Sequence, residues 1–191
     1  MSARARRLGA WGVGVLAVAA AGLITGFVPT DDDITAPFPV EASVGGDAVS
    51  VGELSVRLLE VRSSTQLTID DEIARSNWVM VTLEVTGTGL IDRATEPKLS
   101  SATLHLGERS YSASARPDQV AVGLPLVAGL PTRLDLVFEI AEGDIASTGV
   151  LELSPRRGDD RLSLVLEAPV DLAASARVER LSPRAPEWVS P

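Results

Sequence analysis

Apolar side chains recur at every second position over much of this chain, and that period limits its fold more than any other feature. Leu134, Leu136, Phe138 and Ile140 alternate with Arg133, Asp135, Val137 and Glu139. Val79, Val81, Leu83 and Val85 alternate in the same way with Trp78, Met80, Thr82, Glu84 and Thr86. Leu162, Leu164 and Leu166 repeat the pattern near the end, with shorter versions at Leu104/Leu106 and Leu151/Leu153. Successive side chains of an extended chain point to opposite faces, so each run reads as a strand with one face inward. In Leu54, Val56 and Leu58 the phase holds, then slips to Leu59 and Val61. A slip of one residue turns every later side chain over, so a bulge or a change of sheet is expected there. Gly87-Thr88-Gly89, Gly107-Glu108, Gly129-x-Pro131, Gly143-Asp144 and Arg157-Gly158-Asp159-Asp160 are turn signals between the runs. Strands about ten residues apart, with no long helical pattern, predict an all-β antiparallel sandwich.

The N-terminus follows a different rule. Leu8 to Thr30 is 23 residues without a charge, preceded by Arg4, Arg6 and Arg7 and followed by Asp31-Asp32-Asp33. About 20 helical residues cross a bilayer core of about 30 Å. Arginines before the run and aspartates after it orient the N-terminus toward the cytoplasm and the body outward. A cleaved signal peptide is the rival reading; it expects a shorter apolar core, and the Ala-x-Ala formed by Ala19 and Ala21 lies inside the run. The expected division is a basic segment 1–7, a single transmembrane helix 8–30, an acidic Pro/Gly linker 31–46, a sandwich ectodomain 47–172 and a tail 173–191. In the tail, Ala173 to Leu181 could form a short helix, and the end is expected to be poorly ordered or to dock through Pro183, Pro186 and Trp188. Within the membrane run, Gly22 and Gly26 form a G-x-x-x-G, and Ala17, Ala21 and Thr25 repeat the spacing one position earlier. Small residues four apart let helix backbones approach, which makes these five a candidate helix contact. Chance spacing in an Ala/Gly-rich sequence is the alternative.

Composition excludes more than it assigns. The chain holds no cysteine and one histidine, so disulfides, thiolate metal sites and thiol catalysis are absent. With the three N-terminal arginines set aside, 14 basic side chains face 26 acidic ones, a formal −12 on residues 31–191. Such a body repels nucleic acid and anionic lipid. His105, between Leu104 and Leu106, points outward by alternation and has no nucleophile motif near it in sequence. Asp70-Asp71-Glu72, Asp159-Asp160 and Glu142/Asp144 supply paired carboxylates. A glycosidase would need aromatic platforms beside such a pair, and the body offers only Trp78, Tyr111 and Phe138, apart from Phe38 in the linker and Trp188 in the tail. Calcium suits the first two clusters better, but no D-x-D-x-D-G loop is present. No cofactor or metal is expected, and the chain is read as non-enzymatic.

The strand opening with Trp78-Val79-Met80-Val81-Thr82-Leu83-Glu84-Val85 is followed by one ending in Gly107-Glu108-Arg109-Ser110-Tyr111. Val127-Ala128-Gly129 then leads through Thr132 to Val137-Phe138-Glu139-Ile140. This succession resembles the telokin-like immunoglobulin domains of bacterial envelope proteins, many of them Gram-positive, carried behind an N-terminal anchor or lipid. The resemblance covers roughly residues 47–170 and departs from the family at Thr86-Gly87-Thr88-Gly89, where an Asn-containing turn is usual. It implies an immunoglobulin-like sandwich, exported and without an active site to transfer. Trp78 faces away from the valine side; it either closes one end of the sandwich, beneath the connection Thr68 to Asn77, or serves as a surface binding residue. The functional expectation is a membrane-tethered extracytoplasmic interaction module with a protein partner in the envelope. A tethered domain for a wall glycan or small ligand is the alternative.

Overall fold

The structure, a computed structural model, describes residues 35–69, 72–88, 96–115, 121–155 and 163–189. The segment 1–7, the membrane run 8–30 and the start of the linker lie outside the described residues. Among the described residues no helix is long and apolar enough to cross a membrane.

The body, Pro37–Pro191, is an all-β sandwich of two sheets. Its strands are β1 (Phe38–Glu41), β2 (Val49–Val51), β3 (Leu54–Ile69), β4 (Glu72–Gly87), β5 (Ser101–Leu106), β6 (Arg109–Ser112), β7 (Thr132–Ile140), β8 (Thr148–Ser154), β9 (Leu164–Asp171), β10 (Ala176–Arg177) and β11 (Glu187–Trp188). The first sheet has the order β1-β9-β8-β5-β6 and the second β10-β3-β4-β7-β11, with β2 also on β3. The chain thus forms the β3–β4 hairpin, crosses to the first sheet for β5 and β6, returns for β7, and crosses again for β8 and β9.

The alternation identified the inner faces. Val79, Val81, Leu83 and Val85 of β4 and Leu134, Leu136, Phe138 and Ile140 of β7 are buried against Leu104, Leu106, Leu151, Leu153 and Leu166 of the first sheet. Each such side chain contributes about 1.5–3 kcal/mol when fully buried. Leu164, read as part of the same face, is exposed at the end of the sandwich. The slip near Leu59 is a bulge: Leu58 pairs with Leu83, but Glu60 pairs with Thr82. The extra residue restores the phase of β3 to that of β4. Gly107 takes a φ of 59° in the β5–β6 turn, a conformation that glycine adopts without steric cost.

Three boundaries differ from expectation. Part of the predicted linker is sheet: β1 pairs in parallel with β9, Phe38 to Leu164 through Glu41 to Glu167, and Ala42 enters the core. Pro39 is accommodated because β1 is an edge strand, where a missing N–H leaves no ladder bond unmade. Thr68 to Asn77 is not a connection; β3 and β4 continue as one 16-residue-per-strand hairpin beyond the end of β7. The third is the tail. Residues 173–181 hold no helix. Asp171 Oδ1 accepts from the backbone N–H groups of Ala173 and Ala174 at 2.9 and 3.1 Å, turning the chain out of β9. β10 then runs parallel to β3, and β11 pairs antiparallel with β7. Between these two edges of the second sheet the chain lies over its outer face as a strap.

Candidate functional site

The strap creates a second apolar cluster outside the inter-sheet core. Leu181 packs with Leu67, Trp78, Met80 and Val137, all at most 2% exposed. Trp78, Met80 and Val137 belong to the outward phase of β4 and β7, so this face would be solvated without a cover. The strap is seated by backbone bonds first. Val178 N donates to Ser63 O, Leu181 N to Gln66 O and Thr68 N to Leu181 O, each at 2.9 Å. Ser64 Oγ donates to Glu179 O at 2.8 Å. Beyond Leu181 the strap crosses to β7, where Val189 N donates to Pro131 O at 2.9 Å.

At the crossing point sits one charged group. Asp135 of β7 has a side chain only 1% exposed. Its Oδ1 accepts from Thr82 Oγ1 at 2.6 Å and from Arg184 Nη2 at 3.3 Å; its Oδ2 accepts from Arg184 N at 3.0 Å and Nε at 3.2 Å. Burial pushes this carboxyl upward, yet the bonds from Arg184 and Thr82 together outweigh it and hold the group below the ordinary aspartate value. The clustered donors keep a buried carboxylate ionised, as a buried charge requires.

Trp78 is therefore neither a surface binding residue nor a plug at the end of the sandwich. It is 1% exposed beneath the strap, and its Nε1 has no hydrogen-bond partner. Arg62 Nε and Arg133 Nε are likewise buried without one. The expectation of an unstructured tail is corrected with it: Pro183 and Pro186 lie within the strap. Trp188, named with them as a docking residue, stands 69% exposed on β11.

The remaining sequence candidates are not brought together. Ala17, Ala21, Gly22, Thr25 and Gly26 lie outside the described residues, as do Asp70, Asp71, Asp159 and Asp160. Among the described residues no three His, Asp or Glu side chains are arranged to hold a metal. His105 faces outward on β5, with Nδ1 2.9 Å from Ser110 Oγ and Nε2 3.6 Å from Glu152 Oε2. Asp144, in the 3-10 turn Glu142–Asp144, accepts from Tyr111 OH at 2.5 Å and from Arg109 Nη1 at 3.1 Å. The tyrosine bond is the main cause that holds it below the ordinary value; burial opposes it, and Arg109 adds to the lowering. Tyr111 OH in turn accepts from Ala141 N at 3.3 Å, which ties β6 to the end of β7. An open cleft of about 680 Å³ lies beside β1 and β9, lined by Glu41, Asp47, Val49, Val150, Glu167 and Pro169 among others.

The sequence reading missed Asp135 and Arg184. The signal was present: Trp78, Met80 and Val137 are apolar residues at outward positions of two neighbouring strands, which a solvated face does not need.

No protein-family description matches the chain, and no curated protein does. Among solved structures it is similar to a Staphylococcus aureus subsp. aureus protein described as a "putative lipoprotein", with 10% identity and a TM-score of 0.44 over 73% of this chain and 97% of that one.

Proposed function

We propose that this chain is a membrane-tethered, extracytoplasmic interaction module without catalytic activity, an accessory protein of an envelope or transport complex. The order of its parts carries the reading. An uncharged 23-residue run, basic before and acidic after, is followed eight residues later by β1 at Phe38. We read the sandwich as immunoglobulin-like. Its strands β3, β4 and β7 facing β9, β8, β5 and β6 follow the Greek-key order of such domains. The reading of Leu8–Thr30 as a single-pass anchor, with Gly22 and Gly26 in a helix contact, belongs to the same proposal.

Extraction of the full-length protein from its native membrane in mild detergent, with mass spectrometry of what co-purifies, tests it. A stoichiometric integral-membrane partner is the expected result. Recovery of the protein alone, together with saturable binding to isolated wall polymer, would replace it with the tethered glycan-binding reading.

A further inference from the structure

We propose that the outer face of β3, β4 and β7 is a peptide-docking groove, occupied in cis by the strap. Its other occupant is an extended segment of a partner protein with a leucine-sized residue and, three positions later, an arginine. This states how such a module would take a partner and holds whether or not residues 8–30 span a membrane.

The chemistry of the occupant is read from the segment seated there. Its bonds to Ser63, Gln66 and Thr68 use the backbone and carry no sequence information. Val178 packs partly buried against the cluster, and two other side chains are held most closely by the groove. Leu181, 1% exposed, fills the slot between Leu67, Trp78, Met80 and Val137. Arg184 brings a guanidinium to Asp135. Glu179, Arg180, Ser182 and Ala185 are exposed. Backbone pairing at a sheet edge, with specificity from a few pockets, is how strand-adding domains bind extended peptides.

Three further observations separate the strap from the architecture. The cluster beneath it is distinct from the inter-sheet core, so the sandwich keeps its core when the strap leaves. The turn that launches it is local: Asp171 Oδ1 caps Ala173 and Ala174, and Ser175 Oγ donates to Leu172 O at 2.8 Å. The strap also leaves Trp78 Nε1 in the groove floor unbonded, along with Arg62 Nε and Arg133 Nε. Each buried donor without a partner costs free energy that a better-fitting occupant would recover. Asp135 fixes the sign of that occupant. Covered without a cation, Asp135 would be a buried and unpaired carboxylate, so an occupant that displaces the strap and covers this group as closely has to supply one.

The test uses the full chain with Arg184→Ala, which loosens the strap, and a labelled peptide of the sequence Ala174 to Val189. The peptide is expected to bind this variant saturably and about tenfold tighter than it binds the unaltered chain, where the intact strap competes. Peptides carrying L181A or R184A are expected to bind about tenfold more weakly than the parent. Absence of binding, or equal binding of all three peptides, overturns the proposal. Should Arg184→Ala fail to unfold cooperatively, Leu181→Ala loosens the same strap while keeping Asp135 paired, and the same comparison decides. A concentration-dependent dimer of the unaltered chain that the peptide dissolves would make the occupant a second copy and overturn a partner protein in that place.

Discussion

At Asp135, burial and hydrogen bonding act in opposite directions on one carboxyl group, and bonding wins. Its native proton affinity lies below its unfolded one, so the unfolded chain binds the proton more readily. The stability it contributes is complete above the ordinary aspartate value of about 3.9 and is lost as pH falls through the depressed native value. Asp135→Asn should therefore flatten the acid limb of a Tm-against-pH curve below about pH 4, leaving the remaining slope to groups such as Asp144. An acid limb as steep as that of the unaltered chain would refute this. Arg184→Ala strands the buried carboxylate. Arg184 is itself 44% exposed, so the cost should be about 2 kcal/mol rather than the 3–5 kcal/mol of a fully buried pair. Trp78 makes a parallel case. Trp78→Ala should cost about 3–5 kcal/mol, whereas Trp78→Phe, which keeps a ring and removes the unbonded N–H, should cost about 1 kcal/mol in chemical denaturation. At this scale the sequence was least legible. Alternation alone puts Asp135 in water, and nothing in residues 128–140 reveals that Arg184 will cover it.

At the scale of elements, period two predicted β4, β7 and the inner faces of β5 and β8, because burial on one face leaves a local trace. It also located the bulge at Leu59, since the slip in phase is the bulge. The strap left no such trace. Its strands are two residues each and pair through the backbone, which any sequence can do, and its side chains are mostly exposed. β1 escaped for the same reason, being four residues with a proline at a sheet edge. The ladder between β5 and β8 is more demanding. Gly149 pairs with Leu106, and an added Cβ would run into the His105 carbonyl oxygen and stand 2.6 Å from Leu106 Cδ2. Gly149→Ala should cost about 1–3 kcal/mol, lowering the denaturant midpoint at unchanged m. The strap should open separately from the sheets. In native-state hydrogen exchange, the amides of Val178 and Leu181 should exchange well before those of Val81 and Leu136. Equal protection would make the strap part of the global folding unit.

For the molecule as a whole, the prediction concerns sidedness. The chain has no cysteine, so a single introduced thiol reports its own compartment. Glu108→Cys, at the exposed β5–β6 turn, should react with a membrane-impermeant maleimide on intact cells, whereas Ser2→Cys should react only after permeabilisation. The reverse pattern would invert the proposed topology. Replacing Leu8–Thr30 with an unrelated apolar helix should preserve labelling at position 108. It should abolish co-purification of a membrane partner if Ala17, Ala21, Gly22, Thr25 and Gly26 make the contact. The all-β class of the body was legible because strand periodicity survives in a single sequence. Identity of a partner was not, since a binding surface leaves no period.

The strap has a bearing on how the protein is made. Ala176 to Trp188 is synthesised after every strand it lies across. Until those residues arrive, the second sheet presents Trp78, Met80 and Val137 on its outer face, with part of β3 and of β7 unpaired along the two margins. Bare strand margins beside an apolar face are templates for aggregation. A chain stalled or clipped after β9 would keep its inter-sheet core yet be sticky, and a quality-control protease or holding chaperone would meet that surface during every round of biogenesis.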